Sequence, residues 1–383
     1  MYVDGGTAIT PSTTYIFSTT GVHTVVWDLV EPVVPNAAFM HINNTPLPIL
    51  SVQIGDGVTE IDDYAFFFSN MTAVTIPNSV TKIDYWAFAS NPYNKSVVLP
   101  TGLTYIGTNA FSRIGNTAIT IPESVEEING TAFASSSLRT INIPGKVMNL
   151  NATFQWSTSL HTVTFSPSNR YFLDLNNTFN HCHSLTSITT PNDCSVYLDG
   201  AFTNCYSLRS VNIPNADAIG YYNFTGSTAL TSVSFPEKVD FVNGYNFNEC
   251  TSLTSLTLPN AVYYSQAVID GAGSLQRVQF GNTLSINYNL DLTEDYDKFG
   301  NGCSSLNRID VVCNGVFMFN HDTNIPSGVF VSNLPPNGHV YYYYKSASET
   351  DINSQRIAEA LVAGIGNGWT AVSGGVWTGT PAE

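Results

Sequence analysis

Nine prolines, Pro77, Pro100, Pro122, Pro144, Pro167, Pro191, Pro214, Pro236 and Pro259, follow one another at intervals of 22 to 24 residues. Gly55 and Gly281 continue the series by 22 residues at either end. Nine phenylalanines, Phe66, Phe88, Phe111, Phe133, Phe154, Phe179, Phe202, Phe224 and Phe247, keep the same period at 21 to 25. Two independent series with one period mark a solenoid, in which a unit buries its apolar side only by stacking on its neighbours. At about 150 residues per domain, the 383 residues would suggest two or three domains. The repeat turns them into one stacked body with two flanks. Some eleven coils at about 4.8 Å per strand would extend it to roughly 50 Å.

The unit is clearest in AFTNCYSLRSVNIP, residues 201 to 214, where Phe202 is followed by Cys205, Leu208, Val211, Ile213 and Pro214. The same frame fits 178 to 191 and 246 to 259. Alternation over Val211, Asn212 and Ile213 predicts a short strand with one buried face, ended by a proline that cannot donate to a ladder. In the other half of the unit, as in PNSVTKIDYWAF, apolar Val80 and Ile83 stand three and six residues after the proline. That spacing predicts irregular or helical backbone returning across the back.

The pattern AF-x-x-C-x-x-L-x-x-V-x-I-P resembles the leucine-rich repeats of the BspA type, which occur in surface proteins of gut and oral bacteria and of some protozoa. The resemblance covers roughly residues 50 to 315. It implies an α/β-type leucine-rich repeat solenoid, right-handed and curved, with a parallel concave β-sheet, an irregular or short helical convex side, and roles in adhesion and host or matrix binding. Three places depart from the pattern. The repeat near Asp270 lacks its Phe, the coil around NRYFLDLNNTF is out of register, and the acidic insertion DLTEDYDKFGNG precedes a last coil at Cys303 to Val311.

Open solenoid ends expose strand edges and core, so the flanks are expected to be covers. Residues 1–49 read as a β-rich cap, with a hairpin in 13 to 30 split at Thr20-Gly21. Residues 50–315 hold ten or eleven repeats. Residues 316–383 read as a strand, a helix and a strand, namely HVYYYYK, TDINSQRIAEALVAGIG and GWTAV, with Trp369 and Trp377 as cap packing.

Composition narrows the function. Only 11% of the chain is charged, and 13 basic against 29 acidic residues leave a net charge of −16. Nucleic-acid binders depend on clustered Lys and Arg to track phosphates, and anionic membranes also attract basic segments. Neither partner fits. No run of 18 apolar residues is long enough to span a membrane, and no export signal opens the chain. Either a signal was removed or there never was one, and the family resemblance implies an extracellular or cell-surface protein.

Cys182, Cys205, Cys250 and Cys303 keep one register after the spine Phe positions, and Cys194 occupies a Val position, which reads as buried structural thiols ahead of disulfides. Cys313 follows the last strand without an assignment. His181-Cys182-His183 lacks the second cluster a zinc site needs and reads as two surface residues flanking a buried one. Asp291, Glu294, Asp295 and Asp297 offer hard oxygen ligands for calcium, but without the EF-hand order a solvated loop is the favoured reading. No nucleophile elbow, phosphate loop, dinucleotide fingerprint or HExxH occurs. The expectation is a protein without catalytic residues, metal or cofactor.

The remaining surface is the outward face of the strands. It should carry Ser, Thr and Asn with spaced cations, and the candidate ligand-binding residues are Arg139, Asn142, His161, Arg209, Asn212, Arg277, Gln279 and Arg308. Four of the seven arginines of this acidic chain fall there, where guanidinium forks suit carboxylate or sulfate groups. The leading expectation is a non-enzymatic surface adhesin that binds host or matrix protein, peptide or glycan through the concave sheet. A structural or receptor-binding component of a bacteriophage particle is the alternative, and a carbohydrate-active enzyme the third.

Overall fold

The computed structural model describes residues 2–3, 25–26, 32–38, 51–69, 71–168, 170–264, 267–280, 285–286, 302–312, 318–319, 334–344 and 352–376. Two parallel ladders run along the solenoid, one strand of each per coil. The principal sheet takes the strands that the Val-x-Ile alternation predicts. Its members are Ser51–Gln53, Ala73–Thr75 and Ser96–Val98, then Thr140–Ile143 and Thr162–Phe165, then Ser187–Thr189, Ser210–Asn212 and Ser232–Ser234. A last group holds Ser255–Thr257, Arg277–Phe280, Arg308–Val311, His339–Tyr344 and Thr370–Val376. Thr140 pairs with Thr162 and Ile141 with Val163, so like residues of successive coils stand side by side. Ile141 and Val163 are buried and Thr140 and Thr162 exposed, as the period-two pattern requires.

The return half of the unit differs from the irregular or helical backbone expected of it. A second parallel sheet runs there through Val33–Val34, Glu60–Ile61, Lys82–Ile83, Tyr105–Ile106 and Glu127–Ile128. After a bridge between Asn149 and Asp174 it continues through Phe172–Asp174, Ser195–Leu198, Ala216–Ile219, Lys238–Val242 and beyond. The three-residue spacing of Val80 and Ile83 comes from a turn followed by a strand. The Pro77 carbonyl accepts the Val80 N–H at 3.1 Å, and the same bond closes at Leu103 and Val125. Ile83 then points inward from a strand only two residues long.

The third side of each coil is the turn that carries the spine phenylalanine. All nine spine rings are at most 1% exposed. Consecutive rings stack with centroids 5.1 to 5.9 Å apart and planes within 16°. Residues two before and two after the Phe take left-handed backbone, as in Tyr64 and Phe68, Trp86 and Ser90, Asn109 and Arg113, and Thr131 and Ser135, at φ of 53° to 62°. This alternation turns every second N–H toward the next coil. Tyr64, Phe66 and Phe68 donate to the carbonyls of Tyr85, Ala87 and Ala89 at 2.7 to 3.0 Å. Left-handed backbone costs a non-glycine residue about 1 kcal/mol or more, which burial of a ring of 150 to 250 Å² offsets in each coil. In the coil without its Phe, Ile269 is fully buried after Val268 accepts the Phe247 N–H.

At the C-terminal end, His339–Tyr344, the helix Ile352–Ile365 and Thr370–Val376 continue the principal sheet in parallel. Gly366 ends the helix at φ 66°, the left-handed position glycine favours there. Trp369 is buried, its Nε1 donates to the Pro335 carbonyl at 2.9 Å, and any side chain at Gly338 would meet its ring. At the N-terminus, Val25–Val26 pairs antiparallel with Tyr2–Val3. The remainder of the 13 to 30 hairpin, the acidic run at Asp291, Glu294, Asp295 and Asp297, and Cys313 and Trp377 lie outside the described residues.

Candidate functional site

Three rows of side chains run across the outward face of the principal sheet, set by its register. Thr140, Thr162, Ser187, Ser210 and Ser232 share one row with Arg277 and Arg308; Asn142, Thr164, Thr189 and Asn212 share another with Gln279 and Asp310. Arg139, His161 and Arg209 stand one residue earlier in their coils, where the strands begin.

In the middle of the sheet the candidate residues are open. Arg139, His161, Arg209 and Asn212 are exposed, and among the described residues the guanidinium groups of Arg139 and Arg209 have no hydrogen-bond or ion-pair partner. Asn142 is tied into a chain of side chains: its Nδ2 donates to Ser166 Oγ at 2.8 Å, its Oδ1 accepts from Thr164 at 2.9 Å, and Ser166 donates to Glu123 at 2.6 Å.

Here the ladder is also interrupted, since Thr162–Phe165 and Ser187–Thr189 belong to separate hydrogen-bonded sheets. The spacing from Phe154 to Phe179 is 25 residues, the longest in the series. A depression of about 660 Å³ opens on the face at that point. Its lining includes His161, Thr162, Thr164, Phe165, Thr186, Ser187, Thr189, Thr190, Pro191, Asn192 and Asn212. Thr190 is 2% exposed, and its Oγ1, buried beneath the depression, has no hydrogen-bond partner among the described residues. Arg170 braces the long coil from behind, its guanidinium donating to the carbonyls of Pro144, Val147 and Ser166 at 2.8 to 3.3 Å. Sequence reasoning missed Arg170 and Thr190. Their only signal was the slipped register of NRYFLDLNNTF.

At the C-terminal end the same face is closed. Asp310 is fully buried, and both arginines of its neighbourhood bind it: Arg277 Nε at 2.5 Å and Arg308 Nη2 at 3.0 Å. Tyr343 donates a further hydrogen bond to Asp310 at 2.9 Å, Arg277 also reaches Gln279 at 3.2 Å, and the Arg308 guanidinium lies 4.1 Å over the Tyr341 ring. The structure therefore brings together Arg139, Asn142, His161, Arg209 and Asn212 on an open stretch. It commits Arg277, Gln279 and Arg308 to one internal network.

The thiols show a second role that their apolar burial hides. Cys182, Cys205, Cys250 and Cys303 donate to the spine carbonyls of the preceding coils at Phe154, Phe179, Phe224 and Ile269, at 3.1 to 3.3 Å. Ser157, Ser227 and Asn91 make the same bond to Phe133, Phe202 and Phe66 at 2.8 to 3.0 Å. The position selects a small buried donor, and sulfur serves as well as oxygen. All four thiols and Cys194 are free and buried. Burial pushes the Cys205 and Cys303 thiols up to about 12. Among the described residues, Asp62, Asp63 and Asp84 bring oxygens within 4.8 Å of one another. Lys82 lies 2.5 Å from Asp84 and 2.7 Å from Glu60, while Asp63 accepts the Tyr85 N–H at 3.1 Å.

A family model of the BspA type leucine rich repeat region matches the chain in six copies, over residues 33–161 and 175–290. The match breaks at the long coil. Among solved structures, a leucine-rich repeat protein from Bacteroides ovatus is similar at 22% identity over 70% of this chain and 84% of its own, with a TM-score of 0.42. The pneumococcal vaccine antigen PcpA is similar at 15% identity over 87% and 91%, with a TM-score of 0.40. A leucine rich cell surface protein from Faecalibacterium prausnitzii is similar at 20% identity over 84% and 87%, with a TM-score of 0.42. No curated protein sequence matches the chain.

Proposed function

The chain belongs to the BspA-type leucine-rich repeat family, and from that premise we propose that it is a non-enzymatic binding protein displayed at a bacterial cell surface, holding a partner protein on the open middle of its principal sheet. The observation that carries this reading is the pairing of two unneutralised guanidinium groups, Arg139 and Arg209, with a depression lined by hydroxyls, an amide and an imidazole. In an acidic chain, free cations beside a recess select a ligand segment that brings carboxylates, because each charge-assisted hydrogen bond contributes about 1.5–3 kcal/mol. The hydroxyl rows on either side can pair with the backbone amides of an extended peptide. Among the described residues no helix is long and apolar enough to cross a membrane.

The test is binding of the purified protein to immobilised extracellular matrix proteins. Capture that weakens about ten- to hundredfold in the double variant Arg139→Ala, Arg209→Ala, with an unchanged melting temperature, supports the reading. Binding that is indifferent to both arginines overturns it.

A further inference from the structure

A different side of the solenoid carries an exposed chain of rings. On the turn edge, Trp156 stacks on His181 with centroids 3.6 Å apart and planes 19° from parallel. His181 lies 5.7 Å from His183, and His183 stacks on Tyr206 at 4.6 Å. Four rings from three successive coils thus form one row along the solenoid axis. Trp156 is 47% exposed and Tyr206 46%, so neither ring is placed to fill the core. Contiguous exposed aromatic surface marks binding sites.

Trp156 also sits in left-handed backbone at φ 63°, a turn position filled in neighbouring coils by Ser135, His181, Asn204 and Gly226. The left-handed backbone belongs to the repeat, while the large half-exposed side chain placed on it here does not. His181 covers one face of the indole. The preceding coil places only the small, exposed Ser135 at that position, which leaves the other face without a second ring. Polar atoms edge the row. Asn180 pairs with His181 Nδ1 and Asn204 Nδ2 lies 3.2 Å from His181 Nε2, so two amides stand at the edge of the rings.

We infer that this edge is a carbohydrate-binding platform, taking the apolar faces of neutral pyranose rings on Trp156 and Tyr206 and pairing their hydroxyls with the amide groups of Asn180 and Asn204. Sugars present one face of C–H groups and a rim of hydroxyls, which rings framed by amides complement. The residues that hold and edge the row include no carboxylate or guanidinium, which fits an uncharged ligand. A protein hot spot would bury its anchor rings in a desolvated pocket, whereas these rings stand proud. The platform is separate from the principal sheet and does not depend on the reading of Arg139 and Arg209.

The experiment is affinity electrophoresis of the full chain through gels containing soluble β-glucan, xylan or galactomannan, one polysaccharide per gel. Retardation is expected in at least one gel, with a tenfold or greater loss of affinity in Trp156→Ala and in Tyr206→Ala and with most affinity kept in Trp156→Phe. The double variant Arg139→Ala, Arg209→Ala is expected to migrate as the parent does. Absence of retardation in all three gels overturns the inference, as does retardation of a folded Trp156→Ala equal to the parent's. Loss of retardation in the arginine variant moves the sugar site to the sheet and also overturns it. A purified matrix protein whose capture requires Trp156, with no polysaccharide retarding the chain, assigns the rings to a protein partner instead. Should Trp156→Ala fail to fold, Tyr206→Ala carries the test.

Discussion

The middle and the C-terminal end of the principal sheet are built from the same repeat, yet they treat their arginines in opposite ways. Around Arg139 and Arg209 the neighbouring rows hold Thr, Ser and Asn, and both side chains stay exposed. Around Arg277 and Arg308 the next row places Asp310 between them, and Tyr343 closes the cluster from the following strand. One carboxylate in the right register converts an open row of cations into a structural clasp.

The largest effect tests what both regions share. Phe202→Ala removes a fully buried ring from the stacked spine and should cost about 3–5 kcal/mol in chemical denaturation. A loss confined to one part of the chain, seen by hydrogen exchange, would show that coils unfold by neighbourhoods. Asp310→Ala tests the clasp itself. It leaves two arginines facing one another and should cost about 2–4 kcal/mol, a range reduced from the fully buried case because both guanidinium groups reach solvent. If Asp310→Ala melts like the parent, the contrast between the two regions fails.

Hydrogen bonding beneath the sheet should be nearly indifferent to sulfur or oxygen. Cys205→Ser is expected to change stability by less than about 1 kcal/mol, and Cys205→Ala to cost about 1 kcal/mol, because the Phe179 carbonyl keeps its bond from the Cys182 N–H at 3.0 Å. The smallest effect concerns pH. Burial first, and then the charge of His183, hold His181 below its ordinary 6.5. The unfolded chain therefore binds the proton more readily, so this contribution to stability is complete above about 6.5 and is lost as pH falls through 6.5 toward the folded value. Replacing His181 with Asn, which tolerates the left-handed backbone, should flatten the fall in melting temperature between pH 7.5 and 5.

The spine, the strand faces and the burial of five cysteines were legible because each repeats at one spacing, and a residue type recurring every coil reports one environment. The second sheet was not legible. Two-residue strands such as Lys82–Ile83 are too short to show alternation, and the turn before them imitates a helical spacing. The candidate site was half legible for a related reason. Periodicity places Arg139 and Arg277 alike on an outward face, but whether a cation is free depends on its cross-strand neighbours. Asp310 lies 33 residues after Arg277, and only the register of two paired strands brings them together. Departures from the repeat, in Arg170 and the long coil, mark the depression without describing it.

The raised thiol values have a consequence for the journey such a protein makes. The reactive species in disulfide chemistry is the thiolate, and a thiol that ionises near pH 12 exposes about one thiolate in 10⁵ at neutral pH. Once stacked, Cys205 and Cys303 are both walled off and chemically quiet, so neither offers an oxidant a thiolate to couple. Before the coils close, the same cysteines are ordinary and vulnerable. The reactivity of these thiols is therefore set by whether the coils are stacked, and the packing that buries the spine also guards the sulfur.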